Sequence, residues 1–194
     1  MNVTINLSGI LRHQSELMAQ FRGIEKKNGF HFPTPPVDPD GFANQAELRR
    51  LAWCIQEELC EAADAMSLPE WRSAVQKELI DALHFIAEFL LTLGYWPDDL
   101  PPEDSRSPDV SLNGPTPNLF NTMIDLGMVV NSLKNKPWKQ TDRPTDIVVF
   151  RRKLARFVRG FIRTCYSLGM SDNDIHLVYF GKAAENQNRI DTGV

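Results

Sequence analysis

The sequence predicts an all-α protein, and three observations support this prediction. Apolar residues recur at helical spacing in several long segments of the chain. The strict apolar–polar alternation that is typical of strands is nearly absent. Most prolines fall in two segments, 33–39 and 97–117, which separate the helical patterns. With 194 residues, of which 42% are hydrophobic, the chain is long and apolar enough for one domain with a sizeable core.

Six helices are predicted in chain order, over residues 8–27, 44–66, 71–93, 118–135, 145–168 and 172–189. Pro69 suits a helix start, and Gly94 suits a helix C-cap. The segment 97–117 holds six prolines among Asp, Ser, Asn and Gly residues, which predicts a connector. We therefore expect a single domain, 1–194, with a first half at 1–96 and a second half at 118–194.

A weak internal repeat suggests that these halves are related. Residues 75–95 align without a gap over residues 150–170, and both segments end in Leu-Gly followed by an apolar residue. Basic residues of the second copy replace chemically important residues of the first: Glu78 aligns with Lys153, Asp81 with Arg156 and His84 with Arg159. This predicts two fused helix hairpins of which only the first carries a metal site. Chance similarity between two amphipathic helices is the alternative.

Composition and charge narrow the range of functions. The net charge of −4 gives no reason to expect binding to a nucleic-acid backbone. Three cysteines without a CxxC motif argue against a disulfide framework and a zinc site, so we expect a reduced, cytoplasmic protein. Residues 1–10 do not resemble a signal peptide. The longest apolar stretch, 85–96, is interrupted by Glu88 and is too short for a membrane span.

Two short runs of acidic residues are the strongest functional signal. Glu58 and Glu61 lie three residues apart, and so do Glu78 and Asp81, so each pair shares one face of a helix. Two such faces brought together repel one another unless a hard divalent cation lies between them. The spacing therefore predicts a magnesium site, with an acidic surface face as the alternative. A di-iron carboxylate bundle would need two Glu-x-x-His pairs, and only Asp81-x-x-His84 comes close.

A second signal lies near the end of the chain. Lys182, Asn186 and Arg189 stand at i, i+4 and i+7, which is one helix face. A cation, an amide and a guanidinium in line suit a polyphosphate, because Arg binds phosphate in a bidentate manner and Lys acts as a point charge. A solvated polar helix is the alternative interpretation.

Together these residues resemble the all-α nucleoside triphosphate pyrophosphohydrolases, the MazG-like and dimeric dUTPase superfamily. Its signature, E-E-x-x-E followed by E-x-x-D, is matched by residues 57–61 and 78–81 with sixteen residues between them. The segment Glu-Leu-Ile-Asp-Ala-Leu-His-Phe, 78–85, resembles the dimeric dUTPase and phage dCTPase–dUTPase branch. In the family tail K-x-x-x-N-x-x-R-Q-x-x-G-Y the matching residues are Lys182, Asn186, Arg189 and Gly193.

The resemblance implies a MazG-like helical bundle and metal-dependent hydrolysis of a deoxynucleoside triphosphate to the monophosphate and pyrophosphate. It implies Mg²⁺, with Mn²⁺ as a substitute, and self-association into a homodimer or higher homo-oligomer. The expected metal ligands are Glu58, Glu61, Glu78 and Asp81, and the expected catalytic residues are Glu57, Glu58 and Glu61. Glu57 would orient or deprotonate the attacking water, or it would be a further metal ligand. The expected substrate-binding residues are Gln14, His84, Lys182, Asn186 and Arg189.

Departures from the family pattern affect the prediction of the base. The family tail has Gln and Tyr where this chain has Ile190 and Val194. The first helix of dimeric dUTPases carries a Q-x-x-L-N-like pattern that reads uracil, and here Gln14 matches while the Asn is missing. A pocket without that amide should discriminate between bases differently. A dUTP- or dCTP-type substrate is the first expectation, and dGTP or a modified nucleotide is the alternative.

Other assignments remain open. His84 could instead be a packed histidine that donates to a backbone carbonyl. Trp53 and Trp138 could stack on a base, although burial in the core is the commoner role of Trp53. A non-catalytic helical adaptor or a nucleotide-binding regulator without turnover is the rival class of function.

Overall fold

The computed structural model describes residues 5–102, 115–136, 138, 140 and 143–193, without the side chains of Pro115 and Pro117. These residues form six α-helices, one short 3₁₀-helix at Pro97–Asp99 and no strand, so the all-α prediction is confirmed. The helices are α1 Leu7–Lys27, α2 Phe42–Ala65, α3 Trp71–Leu93, α4 Pro115–Val130, α5 Ile147–Ser167 and α6 Asp172–Thr192. No helix among the described residues is long and apolar enough to cross a membrane.

Two antiparallel hairpins dominate the packing. α2 packs most extensively against α3, and α4 packs against α5, while α1 and α6 lie against α3 and against each other. One continuous apolar core, including Leu51, Leu83 and Phe161, runs through all six helices. The pairing of helices is the one expected of two hairpin halves, and their origin by duplication stays a prediction.

In the second hairpin Arg156 of α5 forms an ion pair with Asp125 of α4 at 3.0 Å.

The fourth helix differs most from its predicted bounds of 118–135. It begins at Pro115 inside the predicted connector, because prolines are tolerated in a first helical turn, where no backbone N–H bond is required. It ends at Val130 rather than 135. The buried Asn135 explains the early end, because its backbone N–H donates to Gln45 Oε1 at 2.9 Å and its side chain donates to the carbonyl of Asp40. The connector residues 103–114 and Val194 lie outside the described residues.

The ends of the helices next to the candidate site follow from local chemistry. Gly94 ends α3 in the left-handed conformation, with φ of 69°, as predicted. A Cβ at this position would also lie 2.8 Å from the Cβ of Pro36, so glycine is required twice over. α6 begins with a capping box between Ser171 and Asp174 and continues to Thr192, three residues beyond the prediction, where Gly193 caps it. The basic motif near the chain end is therefore fully helical.

Candidate active site

A cavity of about 410 Å³ lies between α1, α2, α3 and α6. This volume is within the range of about 300–1,000 Å³ that is typical of small-molecule sites. α3 contributes residues along its length, from Glu78 to Glu88. Because a helix rises about 1.5 Å per residue, the seven steps from Asp81 to Glu88 cover roughly 10 Å. The cavity is therefore long enough for an extended ligand.

The two acidic runs meet at one part of this cavity. Glu58, Glu78 and Asp81 each offer a carboxylate oxygen, and the three oxygens lie within 4.8 Å of one another. Glu61 lines the same cavity. The i, i+3 spacing on α2 and α3 accounts for this, since the two helices pack side by side and direct these faces toward the same space.

The carboxylates of the cluster repel one another, and the charge of Lys182 compensates for this repulsion only in part. Burial, together with the charges of Asp81, Glu61 and Glu78, raises the pKa of Glu58 from 4.5 to about 7. Burial and neighbouring carboxylates also raise the pKa of Glu78. The charge of Lys182 acts to lower the pKa of both Glu58 and Glu78. Half-buried carboxylate oxygens at this spacing are the donor set that a hard divalent ion prefers, so the residues fit such an ion.

The predicted phosphate-binding residues line the same cavity from α6. Lys182 Nζ lies 2.7 Å from Asp81 Oδ2, and Arg189 Nη1 donates to Asn186 Oδ1 at 3.2 Å. Arg189 is exposed, while Lys182 and Asn186 are half-buried. α6 thus brings two cations to the cavity lining, and one of them, Lys182, contacts the acid cluster.

Gln14 is the centre of a buried hydrogen-bond network in the same cavity. It is 2% exposed and its Oε1 accepts two hydrogen bonds, from His84 Nδ1 at 2.7 Å and from the Tyr179 hydroxyl at 2.8 Å. Its Nε2 donates to Glu88 Oε1 at 3.2 Å. The rings of His84 and Tyr179 are stacked, with centroids 4.3 Å apart. The predicted candidates Gln14 and His84 are therefore held together in one rigid arrangement.

The protonation of His84 follows from these contacts. Since Gln14 Oε1 can only accept, the proton of the neutral imidazole is on Nδ1. Burial, helped by the charges of Lys182 and His13, lowers the pKa of His84 from 6.5 to about 4, so the ring is neutral at pH 7. Its Nε2 is buried without a hydrogen-bond partner among the described residues. Because His84 lines the cavity, its Nε2 is a hydrogen-bond acceptor in the cavity wall. His84 is packed, at 6% exposed, as the alternative interpretation expects, but its partner is the Gln14 side chain and not a backbone carbonyl.

Arg22 and Arg50, which share Glu47 as an ion-pair partner, form another part of the cavity wall. Arg50 binds Glu47 with two hydrogen bonds of 2.8 and 2.9 Å, and Arg22 also donates to Glu47. Burial disfavours ionisation of Glu47, but the hydrogen bonds from Arg50 and Arg22 outweigh it and hold its pKa below the ordinary value. Both guanidinium groups lie over the Phe32 ring, at 4.2 Å for Arg22 and 4.7 Å for Arg50. The two cations are thereby fixed in position.

Comparison with known proteins agrees with this geometry. The family model described as dUTPase matches residues 37–193, most of the chain and all of its acid cluster and C-terminal motif. The chain belongs to the all-α dUTPase family. No curated protein matched the chain, and no solved structure matched it either. Membership of the dUTPase family implies nucleotide hydrolase activity, and enzymes of this kind generally use a divalent metal.

The matched region begins after α1, the helix that carries Gln14. α1 nevertheless supplies one wall of the cavity, with Gln14, Met18, Phe21 and Arg22. The family assignment therefore covers the acid cluster and the basic C-terminal motif, while the wall from α1 lies outside it.

Other predicted residues of this dUTPase-family chain lie away from the cavity. Glu57 is exposed and accepts a hydrogen bond of 2.7 Å from Trp53 Nε1, and neither residue is part of the cavity lining. Trp53 is 63% exposed, so its expected burial in the core is wrong. Trp138 is 75% exposed and also lies outside the lining.

Sequence reasoning missed several residues of the site. Phe21, Phe85 and Glu88 line the cavity, and Tyr179 supports Gln14 from α6. The sequence did contain a signal for Glu88 and Tyr179. Glu88 is four residues after His84, and Tyr179 is three before Lys182, so each continues a face that was already recognised. Phe21 gave no such signal, because its spacing is equally typical of a core position.

Proposed function

We propose that this protein hydrolyses a deoxynucleoside triphosphate, of the dUTP or dCTP type, to the monophosphate and pyrophosphate with a divalent ion. One observation carries the proposal. A single cavity joins three clustered carboxylates, two cations on α6 and a buried polar network flanked by aromatic rings. These are the parts that a metal–triphosphate and a nucleoside need, in one continuous space.

The carboxylates would hold the ion. Glu58, Glu78 and Asp81 are the closest set, and Glu61 lines the cavity beside them. Mg²⁺ is the proposed ion because it prefers oxygen ligands, and Mn²⁺ is its expected substitute. When bound, the ion would neutralise phosphate oxygens and the charge that develops on them during transfer.

Lys182 and Arg189 would bind the phosphate groups. In the described structure Lys182 neutralises Asp81 directly. With a metal–triphosphate in the cavity, its ammonium would instead find phosphate oxygens within reach. Arg189 is held by Asn186 at the open edge, where its guanidinium can bind phosphate in a bidentate manner. Asn186 therefore orients Arg189 as well as adding an amide to the site.

The attacking water needs a carboxylate that takes its proton. The sequence prediction for this role is Glu57, whose carboxylate faces Trp53 outside the cavity lining. We propose Glu61 for the role, because it lines the cavity without belonging to the closest set of three. Glu57→Gln and Glu61→Gln distinguish the two assignments.

The nucleoside would occupy the part of the cavity around Gln14 and His84. Phe21 and Phe85 line this space, and their rings can pack against a base. The unpartnered Nε2 of His84 can accept a hydrogen bond from the nucleoside. Because α1 lies outside the family match, dGTP or a modified deoxynucleotide remains the second candidate substrate.

The test is pyrophosphate release from dUTP, dCTP, dGTP, dATP, dTTP and the ribonucleotides, each with Mg²⁺, Mn²⁺ or EDTA. Release that needs the metal and that is lost in Glu78→Gln supports the proposal. A protein that binds nucleotides but releases no pyrophosphate would instead be a non-catalytic nucleotide-binding protein. A protein with neither binding nor turnover would be an adaptor.

The homodimer or higher homo-oligomer implied by the resemblance is proposed on that basis alone. Sedimentation equilibrium over a range of protein concentrations measures it directly. A monomer at all concentrations would rule out the dimer without affecting the proposed reaction, because the described cavity is built from one chain.

A further inference from the structure

Lys182 lies between two carboxylates that differ in their surroundings. Its Nζ is 2.7 Å from Oδ2 of Asp81, which lines the cavity, and 3.9 Å from Oε2 of Glu185, one helical turn further along α6. The side chain of Asp81 is 22% exposed and that of Glu185 is 63% exposed. Asp81 belongs to the acid cluster, whereas Glu185 is not part of the cavity lining. One ammonium group is therefore within reach of both the acid cluster and the protein surface.

The chemistry of lysine suits an exchange between these two partners. Its ammonium is a compact charge with three donors on a flexible four-carbon stem, so it can change partners by rotation of the side chain alone. The backbone of α6 is fixed at this point, because the next residue, Ala183, is 1% exposed and belongs to the apolar core. Movement of the ammonium from Asp81 toward Glu185 therefore leaves the helix in place.

A divalent ion in the acid cluster would use the same carboxylate as Lys182. Asp81 is one of the three residues whose carboxylate oxygens lie closest together, so an ion held by these three residues also binds Asp81. Two cations on one carboxylate repel one another, and each neutralises part of the charge that attracts the other. The ion pair between Lys182 and Asp81 should therefore weaken binding of the ion, and the ion should weaken the pair to the same extent.

We propose that Lys182 opposes the binding of a divalent ion at Asp81, and that Glu185 holds the ammonium group that the ion displaces. The proposal rests on the proposed function, because it takes Asp81 as a metal ligand. Glu185 is then a positioning residue, since it acts on the metal site through Lys182. A triphosphate offers the displaced ammonium a more highly charged partner than Glu185 does. The ion and the nucleotide should therefore bind cooperatively.

A double-mutant cycle separates this role of Glu185 from a simple effect of its charge. Loss of a nearby negative charge weakens metal binding in either case, so Glu185→Gln alone does not distinguish them. If Glu185 acts by holding the ammonium group, its replacement should have little effect once Lys182 has been changed to Met. If it acts by its own charge, the effect should be the same in both backgrounds.

The experiment measures the dissociation constant of Mn²⁺ alone by electron paramagnetic resonance. Wild-type protein, Lys182→Met, Glu185→Gln and the double variant are compared at about pH 8, where carboxylates are ionised. Neither nucleotide nor turnover is needed, so failure of the proposed hydrolysis leaves this test intact. Binding that is lost in Glu78→Gln is assigned to the acid cluster.

Lys77→Met is the matched control for the loss of a positive charge. Lys77 is exposed and lies outside the cavity lining, yet its charge acts on Glu78 in the same direction as that of Lys182. If only the net charge near the cluster mattered, Lys77→Met and Lys182→Met should tighten Mn²⁺ binding to a similar extent.

We expect Lys182→Met to bind Mn²⁺ about tenfold more tightly than the wild-type protein. Glu185→Gln should bind it about threefold more weakly, and Lys77→Met should differ from wild type by less than about twofold. In the Lys182→Met background, Glu185→Gln should change the constant by less than about 1.5-fold. The double variant should therefore bind Mn²⁺ almost as tightly as Lys182→Met.

A second measurement tests the expected cooperativity with the α,β-imido analogues of dUTP and dCTP in the presence of Mn²⁺. Lys182→Met should bind the better analogue about tenfold more weakly than the wild-type protein does, which is opposite in sign to its effect on Mn²⁺ alone. Binding of neither analogue would contradict the proposed function, and the Mn²⁺ constants would still decide between the roles of Lys182 and Glu185.

Equal Mn²⁺ affinity of the wild-type protein and Lys182→Met would overturn the proposal, provided that both retain their helical circular dichroism. An effect of Glu185→Gln that is equally large in the Lys182→Met background would show that Glu185 acts by its own charge, and would overturn its role. If no Mn²⁺ binding depended on Glu78, both this inference and the proposed metal site would be wrong.

Discussion

The ammonium of Lys182 lies 2.7 Å from Oδ2 of Asp81, so a residue of α6 neutralises part of the acid cluster on α3. We expect Lys182→Met to lower the melting temperature in EDTA, because the clustered carboxylates then repel one another without compensation. Added Mg²⁺ should restore most of this loss. Calorimetric melting with and without Mg²⁺ measures both effects. A variant as stable in EDTA as the wild-type protein would show that the ion pair contributes nothing to stability.

Glu58→Gln should act in the opposite direction on stability. It removes the carboxylate whose pKa is raised by burial and by three neighbouring acids, so the protein in EDTA should melt at the same or a higher temperature. The same change should reduce pyrophosphate release about 100-fold or more and weaken stabilisation by Mg²⁺. A fully active Glu58→Gln would remove this residue from the proposed metal ligands.

Glu57 provides a matched comparison with its neighbour in the sequence. We expect Glu57→Gln to retain most of its activity, because that carboxylate is exposed and hydrogen-bonded to Trp53 outside the cavity lining. Glu61→Gln should lose turnover while keeping part of its Mg²⁺-dependent stabilisation. If Glu57→Gln were instead the inactive variant of the two, the sequence prediction of Glu57 as the base would be correct.

His84 should contribute to the acid sensitivity of the fold. Its pKa is lowered from 6.5 to about 4 in the folded protein, so the unfolded chain binds the proton more readily between these values. The contribution of His84 to the unfolding free energy is therefore present above pH 6.5 and is lost as the pH falls toward 4. His84→Asn keeps a donor near the Nδ1 position and should show a flatter urea-derived stability profile in this window. An unchanged slope would mean that another group governs it.

Glu88 should have the reverse dependence. Its pKa is raised to about 7, so the folded protein holds this proton more tightly than the unfolded chain does. The cost of ionising this half-buried carboxyl grows as the pH rises from 4.5 to about 7 and is complete above that. Glu88→Gln should thus gain stability relative to wild type across this window, by up to about 3 kcal/mol at roughly 1.4 kcal/mol per pKa unit. Chemical denaturation at pH 5 and pH 8 measures the difference, and a pH-independent difference would contradict the assignment.

The sequence was sufficient to predict the helices and the grouping of the acidic residues, because both follow from the helical period of 3.6 residues. Glu58, Glu78 and Asp81 come together because their spacing directs them to one side of paired helices. The early end of α4 could not be predicted, because it depends on contacts of Asn135 with Gln45, ninety positions away in the chain. The partners of Gln14 could not be predicted either, because its position in the sequence does not reveal that His84 and Tyr179 donate hydrogen bonds to its Oε1. Local patterns contain no information about partners from distant helices.

The division of the cavity between α1 and the family-matched region has a consequence for engineering. The groups proposed for phosphate chemistry come from α2, α3 and α6, whereas Gln14, Met18 and Phe21 come from α1. On the proposed function, we therefore expect that changes in α1 alter base preference with less effect on hydrolytic capacity. A combinatorial library restricted to these three positions of α1 would test this expectation while leaving every carboxylate of the acid cluster in place.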